Sequence, residues 1–352
     1  MRRRTYIVFP FVVAASLVGV AFWLFVAFIR PGPLTEPRTV VIEPGRSLDE
    51  IAAVLADKGV VSDPRVFAFG VRLARKDSAL LPGEYQFGVA FSPRAVMNLL
   101  VSGRRIPHKL VVQEGLTTAQ VLKLVEKADG LDGPITITPG EGALLPQTYQ
   151  YFWGDSRDGM IERMVYAMDQ TIADLWAQRP PDTPLQTPAE AVVLASIVAK
   201  ESGQPKERPT VASVLTNRLK RGMKLESDVT VAYGIARADQ LPETVLKRRL
   251  TRTDLKRATP YNTYLNPGLP PTPICNVGRE TLHAALHPAK TTYLFFAATG
   301  SSGNAFARTV DEHNRNVERL RARTAAKKNG GPPEENEAMV PEGVGEASAP
   351  PR

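Results

Sequence analysis

The residue pattern most suited to chemistry in this sequence is a carboxylate placed at the end of an apolar helix. Thr187-Pro188-Ala189-Glu190 reads as a helix start, with threonine as N-cap, proline in the first helical position and glutamate in the third. The run Ala191–Ala199 that follows carries no charge, so the helix is expected to be buried on every side. Lys200 and Glu201 then appear abruptly at its C-terminal end. Desolvation raises the pKa of such a carboxyl, and so does the negative end of the helix dipole. Both favour a protonated, proton-donating Glu201 near neutral pH. Lys200 opposes this if its ammonium points the same way. The plain alternative is that Glu201 is the first solvated residue after a core helix.

Other chemistries find less in the sequence. His283 and His287 have helical spacing, but Ala284 stands where a zinc-protease motif requires glutamate. Ser196 and Lys200 are four residues apart, not the three of a penicillin-binding serine–lysine pair. No P-loop or nucleophile elbow is present. The four histidines, His108, His283, His287 and His313, have no evident nucleophile beside them and read as structural. One cysteine, Cys275, excludes an intrachain disulfide and any zinc site built on two thiolates. Neither a metal nor a cofactor is called for.

The elements that must position Glu201 are legible in outline. Arg2, Arg3 and Arg4 precede a charge-free stretch, Thr5–Ile29, long enough to span a bilayer. It exits into Arg30-Pro31-Gly32-Pro33 without a cleavage-site pattern, so an uncleaved anchor is expected, its N-terminus cytoplasmic by the positive-inside bias. Residues 31–38 form a Pro-rich linker, which holds the rest of the chain within about 30 Å of the membrane.

An internal repeat follows. Val40–Leu55 and Leu110–Val125 each run from a short apolar strand through a glycine (Gly45, Gly115) into a hydroxyl residue (Ser47, Thr117). Glu50 or Gln120 comes three residues later, which makes a capping box opening an amphipathic helix. Helices are expected at Pro64–Leu73 and Pro93–Val101, and a strand over 81–87. Beyond Ile135 come helical patterns at Arg157–Gln178, Pro188–Glu201, Pro209–Arg221 and Asp311–Arg323, with a buried strand at Thr292–Ala298. Residues 223–276 read as loops lining a polar groove, and residues past Ala325 as a disordered tail.

The chain has 352 residues, 43% of them hydrophobic and 23% charged, enough for a buried core. Its formal charge of +8 fits an anionic partner without choosing between nucleic acid, membrane surface and cell-wall polymer. An extracytoplasmic location argues against nucleic acid.

The first copy of the repeat resembles a LysM module, a small peptidoglycan-binding fold. Over residues 39–320 the chain resembles the endolytic murein transglycosylases, membrane-anchored bacterial proteins with a YceG-like domain. The motifs are Glu141-Gly142-x-Leu144-x-Pro146-x-Thr148-Tyr149 and Leu194-Ala195-Ser196-Ile197-Val198-x-Lys200-Glu201. Further on come Val211–Val214, Asn217-Arg218-Leu219, Gly222-Met223-x-Leu225-x-Ser227-Asp228, Tyr261-Asn262-Thr263-Tyr264, Gly268-Leu269-Pro270-Pro271 and Glu312-His313-Asn314.

The resemblance implies cleavage of glycan strands between N-acetylmuramic acid and N-acetylglucosamine, with the muramyl 6-hydroxyl as nucleophile and a 1,6-anhydro end as product. Release of that end would terminate glycan elongation. The family's catalytic glutamate falls on Glu201. A second glutamate common in the family is Ala199 here, Val229 replaces a usual proline, and Asn304 replaces a common histidine. The resemblance also implies a single-pass inner-membrane protein with a periplasmic catalytic domain and association with wall synthases of the penicillin-binding type. Asn217, Arg218, Ser227, Asp228, Tyr261, Asn262 and Tyr264 become candidates for holding the sugars or stabilising oxocarbenium-like charge. Each could equally fix a loop.

The expected fold is α+β. Residues 1–30 form the cytoplasmic tip and transmembrane helix, 31–38 the linker and 39–134 the LysM-like region with its repeat. A mixed α/β catalytic domain occupies 135–323, and 324–352 are the tail. The rival reading is a non-catalytic, membrane-anchored peptidoglycan-binding scaffold.

Overall fold

The computed structural model describes residues 2–241, 250–299 and 303–328; the side chains of 2–14, 17 and 324–328 fall outside that description. Helix α1 (Arg2–Ile29) leads the chain. Among the described residues no helix is long and apolar enough to cross a membrane. The expected span therefore rests on the sequence alone. The last turns of α1 are not free: Phe28 is buried, and Leu24 and Ala27 pack on the first folded unit.

That unit comprises β1 (Arg38–Ile42), α2 (Leu48–Asp57), α3 (Pro64–Leu73), β2 (Gly83–Phe87) and α4 (Pro93–Ser102). Strands β1 and β2 pair antiparallel from Arg38 opposite Phe87 to Ile42 opposite Gly83. Strand periodicity turns Val40, Ile42, Tyr85 and Phe87 to one face, where they meet Leu55, Phe67 and Leu100 in a single core. Gly70 of α3 lies under Phe28. A Cβ there would stand 2.2 Å from the ring, so the absence of a side chain is what lets α1 dock.

The second repeat closes a different core. Strand β3 (His108–Val111) leads into α5 (Thr118–Glu126), and β3 pairs antiparallel with β4 (Thr148–Tyr151), followed by α6 (Arg157–Ala177). Leu110, Val121, Val125, Leu144, Tyr149, Met160 and Met164 pack together. The division expected at 134/135 thus runs through a unit whose two strands lie on either side of it. Both capping boxes form, Ser47 with Glu50 and Thr117 with Gln120. The shared glycines, Gly45 and Gly115, sit at φ +79° and +86°, where a side chain would be strained.

The two repeat turns have different surroundings. Around Gly115 the turn is stitched to the C-terminal half of the chain. Gly115 N–H donates to the Asn276 carbonyl, Asn276 N–H donates to the Leu116 carbonyl, and Glu114 accepts from Gly278 N–H and pairs with Arg208 at 2.6 Å.

The third core is built around α7 (Pro188–Glu201). Residues Ala191–Val198 are all buried, as the uncharged sequence requires. Around it lie α6, α8 (Arg208–Lys220), α9 (Asp228–Ala238) and α11 (Arg279–Leu286), with a short α10 (Arg252–Leu255) beside α9. A hairpin of β5 (Phe295–Ala298) and β6 (Asn304–Ala307) leads to α12 (Val310–Lys328).

The α+β class holds, but four expectations change. The C-terminal half is mainly helical, and the described residues carry three separate two-stranded antiparallel sheets rather than a mixed α/β sheet. Strand β5 is shorter than Thr292–Ala298 and only half-buried, because a two-stranded hairpin is covered on one side alone. Within 223–276, read as loops, α9 forms. Its Gly234 lies so close to Thr259 and Tyr261 that a Cβ would clash with both, so close packing stabilises a helix that glycine and β-branched residues disfavour locally. Helix α12 continues to Lys328, past the expected end of order at Ala325, while positions 329–352 lie outside the described residues.

Candidate active site

Glu201 is the last residue of α7, and Ser202 follows as C-cap. The residue is part-exposed, but its carboxyl lies among protein groups. Ser227 donates its hydroxyl to Glu201 Oε1 at 2.6 Å. The Asn304 amide reaches the Glu201 main-chain carbonyl at 3.4 Å, and Glu207 holds Asn304 through both its N–H and its Nδ2, each at 3.0 Å. Burial pushes the Glu201 carboxyl up to about 7, the Ser227 hydrogen bond pulls the other way, and the charge of Asp228 raises it further. The Lys200 ammonium does not intervene. It lies over Gly115 of the second repeat turn, on the side facing Cys275, whose buried thiol is itself pushed up to about 12.

Ser227 reaches Glu201 because the backbone before it is forced. Serine at a helix N-cap ordinarily caps the first turn with its hydroxyl. Ser227 occupies that position in α9 but makes no cap, and its hydroxyl goes to Glu201 instead. Glu226, just before it, has φ +52°, a left-handed conformation uncommon for a residue with a side chain. Arg218 secures this turn. Its guanidinium is buried and donates to the carbonyls of Lys224, Leu225 and Leu294, and to the Glu226 carboxylate at 3.0 Å. On the other side Thr263 accepts from Ser227 N–H at 3.0 Å and shares a hydrogen bond with Thr230.

Of the seven candidate binding residues, the structure gathers three at Glu201. They are Ser227, in direct contact, Asp228, whose charge it feels, and Tyr264, which donates to Asp228 Oδ1 at 2.7 Å. Burial and the Asp228 charge raise the Tyr264 hydroxyl above its ordinary range, so it stays a donor.

The other four make contacts within the chain. Asn217 gives its amide to the carbonyls of Thr291 and Tyr293. Arg218 is committed to the turn before Ser227. Asn262 is fully buried and ties Leu255 and Arg257 to Tyr264 N–H. Tyr261 is buried, packs edge-on to Tyr233 and bonds Thr272. Buried polar atoms already paired within the chain have little left to offer a ligand. Asn217 also lines a cavity of about 380 Å³ with Asp182, Ser213, Lys220 and Thr291, but none of the residues around Glu201 belongs to it.

Sequence reasoning missed Glu207, Glu226, Thr230 and Thr263. The last stands inside the Tyr-Asn-Thr-Tyr motif, and Thr230 follows Ser227 at one helical turn, so both had a spacing that could have marked them. A second buried carboxylate, Glu141, accepts from Thr118 N–H and Oγ1 and from the Tyr233 hydroxyl, joining the second repeat to α9. Burial raises its pKa despite these bonds. No cluster of metal-ligating side chains occurs among the described residues.

Comparison with known proteins places this arrangement. A profile of the YceG-like family matches residues 40–319. The chain belongs to the YceG-like family. It is similar to a Bacillus subtilis protein named endolytic murein transglycosylase, 28% identical over 86% of this chain and 91% of that one. A Streptococcus pneumoniae protein of the same name is 23% identical over 79% of this chain, which spans 57% of the pneumococcal protein's length. Among solved structures, a YceG-like protein of Listeria monocytogenes matches at a TM-score of 0.49 and 30% identity, covering 80% of this chain and 98% of that one.

Proposed function

We propose that this YceG-like chain is an endolytic peptidoglycan transglycosylase with Glu201 as its acid and base. The observation that carries the reading is a carboxyl held by Ser227 and pushed up to about 7, which populates both protonation states near neutrality. In the acid form Glu201 gives its proton to the glycosidic oxygen between N-acetylmuramic acid and N-acetylglucosamine as the C1–O bond breaks. The leaving sugar departs as an alcohol. The resulting carboxylate takes the proton of the muramyl 6-hydroxyl as that oxygen bonds to C1. Glu201 ends as it began, no water is consumed, and the product carries a 1,6-anhydro end. Hydrolytic glycosidases ordinarily use two carboxyl groups flanking the bond. Here one group serves twice.

Ser227 fixes the carboxyl, and Asp228 with Tyr264 supplies negative charge and a hydroxyl beside the reacting sugar. Chain release of this kind would terminate glycan elongation. The names of the similar proteins support the substrate class. The charge-free Thr5–Ile29 stretch within one continuous helix supports a single-pass anchor that leaves the catalytic unit outside the cytoplasm. The strand–helix–helix–strand order of residues 38–87, closed by β1 pairing with β2, supports a LysM-like first unit.

The test is mass spectrometry of products from purified peptidoglycan. Wild-type protein releases anhydro-ended fragments, and Glu201→Gln, which keeps the Ser227 contact, releases none. Undiminished product from the variant overturns the assignment. Wall binding without product from the wild type supports a scaffold instead.

A further inference from the structure

Helix α3 carries a surface the proposed function does not use. Its buried face presents Phe67, Gly70 and Val71 to the first core. On the other face Arg65, Phe69, Arg72 and Leu73 recur at helical spacing, and all are exposed. Phe69 is 40% exposed and Leu73 67%. Two large apolar side chains bracketed by cations, with Arg75 and Lys76 just beyond, form an amphipathic pattern suited to a lipid interface. Of the nearby carboxylates, Asp49 pairs with Arg72 and offsets its charge, Asp63 is turned back to cap α3 at Arg65 N–H, and Asp77 follows Lys76, which leaves Arg65, Arg75 and Lys76 to carry the positive charge of the patch.

The position of α3 is what makes the pattern informative. It packs directly on the end of α1 through Gly70 and Phe28. From Thr5 to Ile29 a helix is about 38 Å long at 1.5 Å per residue. A hydrocarbon core is about 30 Å thick. The last turn and a half of α1, residues 25–29, therefore project into the headgroup layer, and Trp23 lies exposed on α1 just below it, at the edge of the hydrocarbon where tryptophan is favoured. Whatever is docked on Leu24–Phe28 is held at that depth too.

We infer that α3 lies in the outer headgroup layer of the membrane that α1 spans, with Phe69 and Leu73 inserted among lipid tails and Arg65, Arg75 and Lys76 on anionic headgroups. The inference rests on the reading of α1 as an anchor. Its consequence is orientation: the first folded unit is laid on the bilayer rather than tethered above it.

The experiment uses the full chain in nanodiscs of equimolar zwitterionic and anionic phospholipid. Single cysteines are introduced by Trp23→Cys, Leu73→Cys and Lys123→Cys, the last exposed on α5 as a water control. Each is spin-labelled and exposed to oxygen, which partitions into lipid, and to a water-soluble nickel chelate. The expected result is an oxygen-favoured label at 73, close to that at 23 and unlike that at 123. A lipid-facing label at 23 with a water-facing label at 73 overturns the inference and leaves the anchor standing. A water-facing label at 23 overturns the anchor, and the inference falls with it. In nanodiscs of zwitterionic lipid alone the label at 73 is expected to move toward water while that at 23 does not. An unchanged reading at 73 overturns the anionic-headgroup assignment.

Discussion

Replacing Glu201 by glutamine should change the stability of α7 in a manner that depends on pH. The carboxyl rises from 4.5 to about 7 on folding, mainly through burial, so the folded state favours its acid form. Such a group stabilises the fold fully below the ordinary carboxyl pKa. That contribution is lost as pH rises through the folded value of about 7. At about 1.4 kcal/mol per pKa unit, keeping the charged form buried at high pH costs roughly 3 kcal/mol.

Glutamine has no charge to bury, and its amide oxygen still accepts from Ser227. At pH 5 wild type and variant should therefore differ by no more than about 1 kcal/mol, and by pH 8 the variant should be ahead by a further 2–3 kcal/mol or so. Amide hydrogen exchange of α7, followed by mass spectrometry, reads this locally. Comparing the two proteins at each pH cancels intrinsic exchange and all other titrations. Where reclosing outruns exchange, the protection of α7 in the variant relative to wild type should rise about thirtyfold to a hundredfold between pH 5 and pH 8, from no more than about fivefold at pH 5. An advantage for glutamine that is the same at both pH values would refute the claim that burial holds the Glu201 proton.

Ser227→Ala removes the one hydrogen bond that favours the Glu201 carboxylate. The alkaline limb of kcat/KM, expected near pH 7 in wild type, should move upward, with activity at its optimum falling about tenfold as the carboxyl loses its partner. Arg218→Met should cost about 1–3 kcal/mol in denaturant unfolding, because it leaves the carbonyls of Lys224, Leu225 and Leu294 without their donor, while the exposed Glu226 carboxylate turns to water. Tyr264→Phe should leave unfolding almost unchanged while lowering kcat, since it removes only one hydroxyl from Asp228. Glu141→Ala should raise exchange at the start of α5 and along α9 together, because that carboxylate joins them, while leaving α2 and α3 protected.

Much of this architecture could be read before the structure because local signals agreed. Ser47–Glu50 and Thr117–Gln120 announced two helices through reciprocal caps, and Thr187-Pro188-Ala189-Glu190 announced a third. The uncharged run Ala191–Ala199 announced burial. What failed depended on partners distant in sequence. Helix α9 exists because Gly234 can lie against Thr259 and Tyr261, which no local pattern reveals. Strand β3 finds its partner about forty residues on, a pairing that no local pattern reveals.

Glu201 drew attention by its place at the end of an apolar helix, which the structure shows as the last residue of α7. Its neighbours were not separable from residues of the same type that tie loops together. Asn262 and Tyr264 stand two positions apart, yet one is sealed within its loop and the other reaches Asp228. Polar residue types in a motif mark a region; only geometry assigns them to substrate or to scaffold.

The β3–β4 pairing bears on where the chain can be cut. The connection between α5 and β4 passes through Pro134–Gly140, while the segments on either side share a ladder, a core and the Glu114–Arg208 and Asn276 bridges. A protease nick in that connection would break the backbone without parting the pieces, and two separately made fragments should find one another. The short passage from Gly103 to Pro107, ahead of β3, is tied to the first unit around Glu84, through Ile106 N–H to its carbonyl and His108 to its carboxylate, with Arg105 lying over Gly83. A truncation meant to isolate the catalytic half should begin there and keep the second repeat.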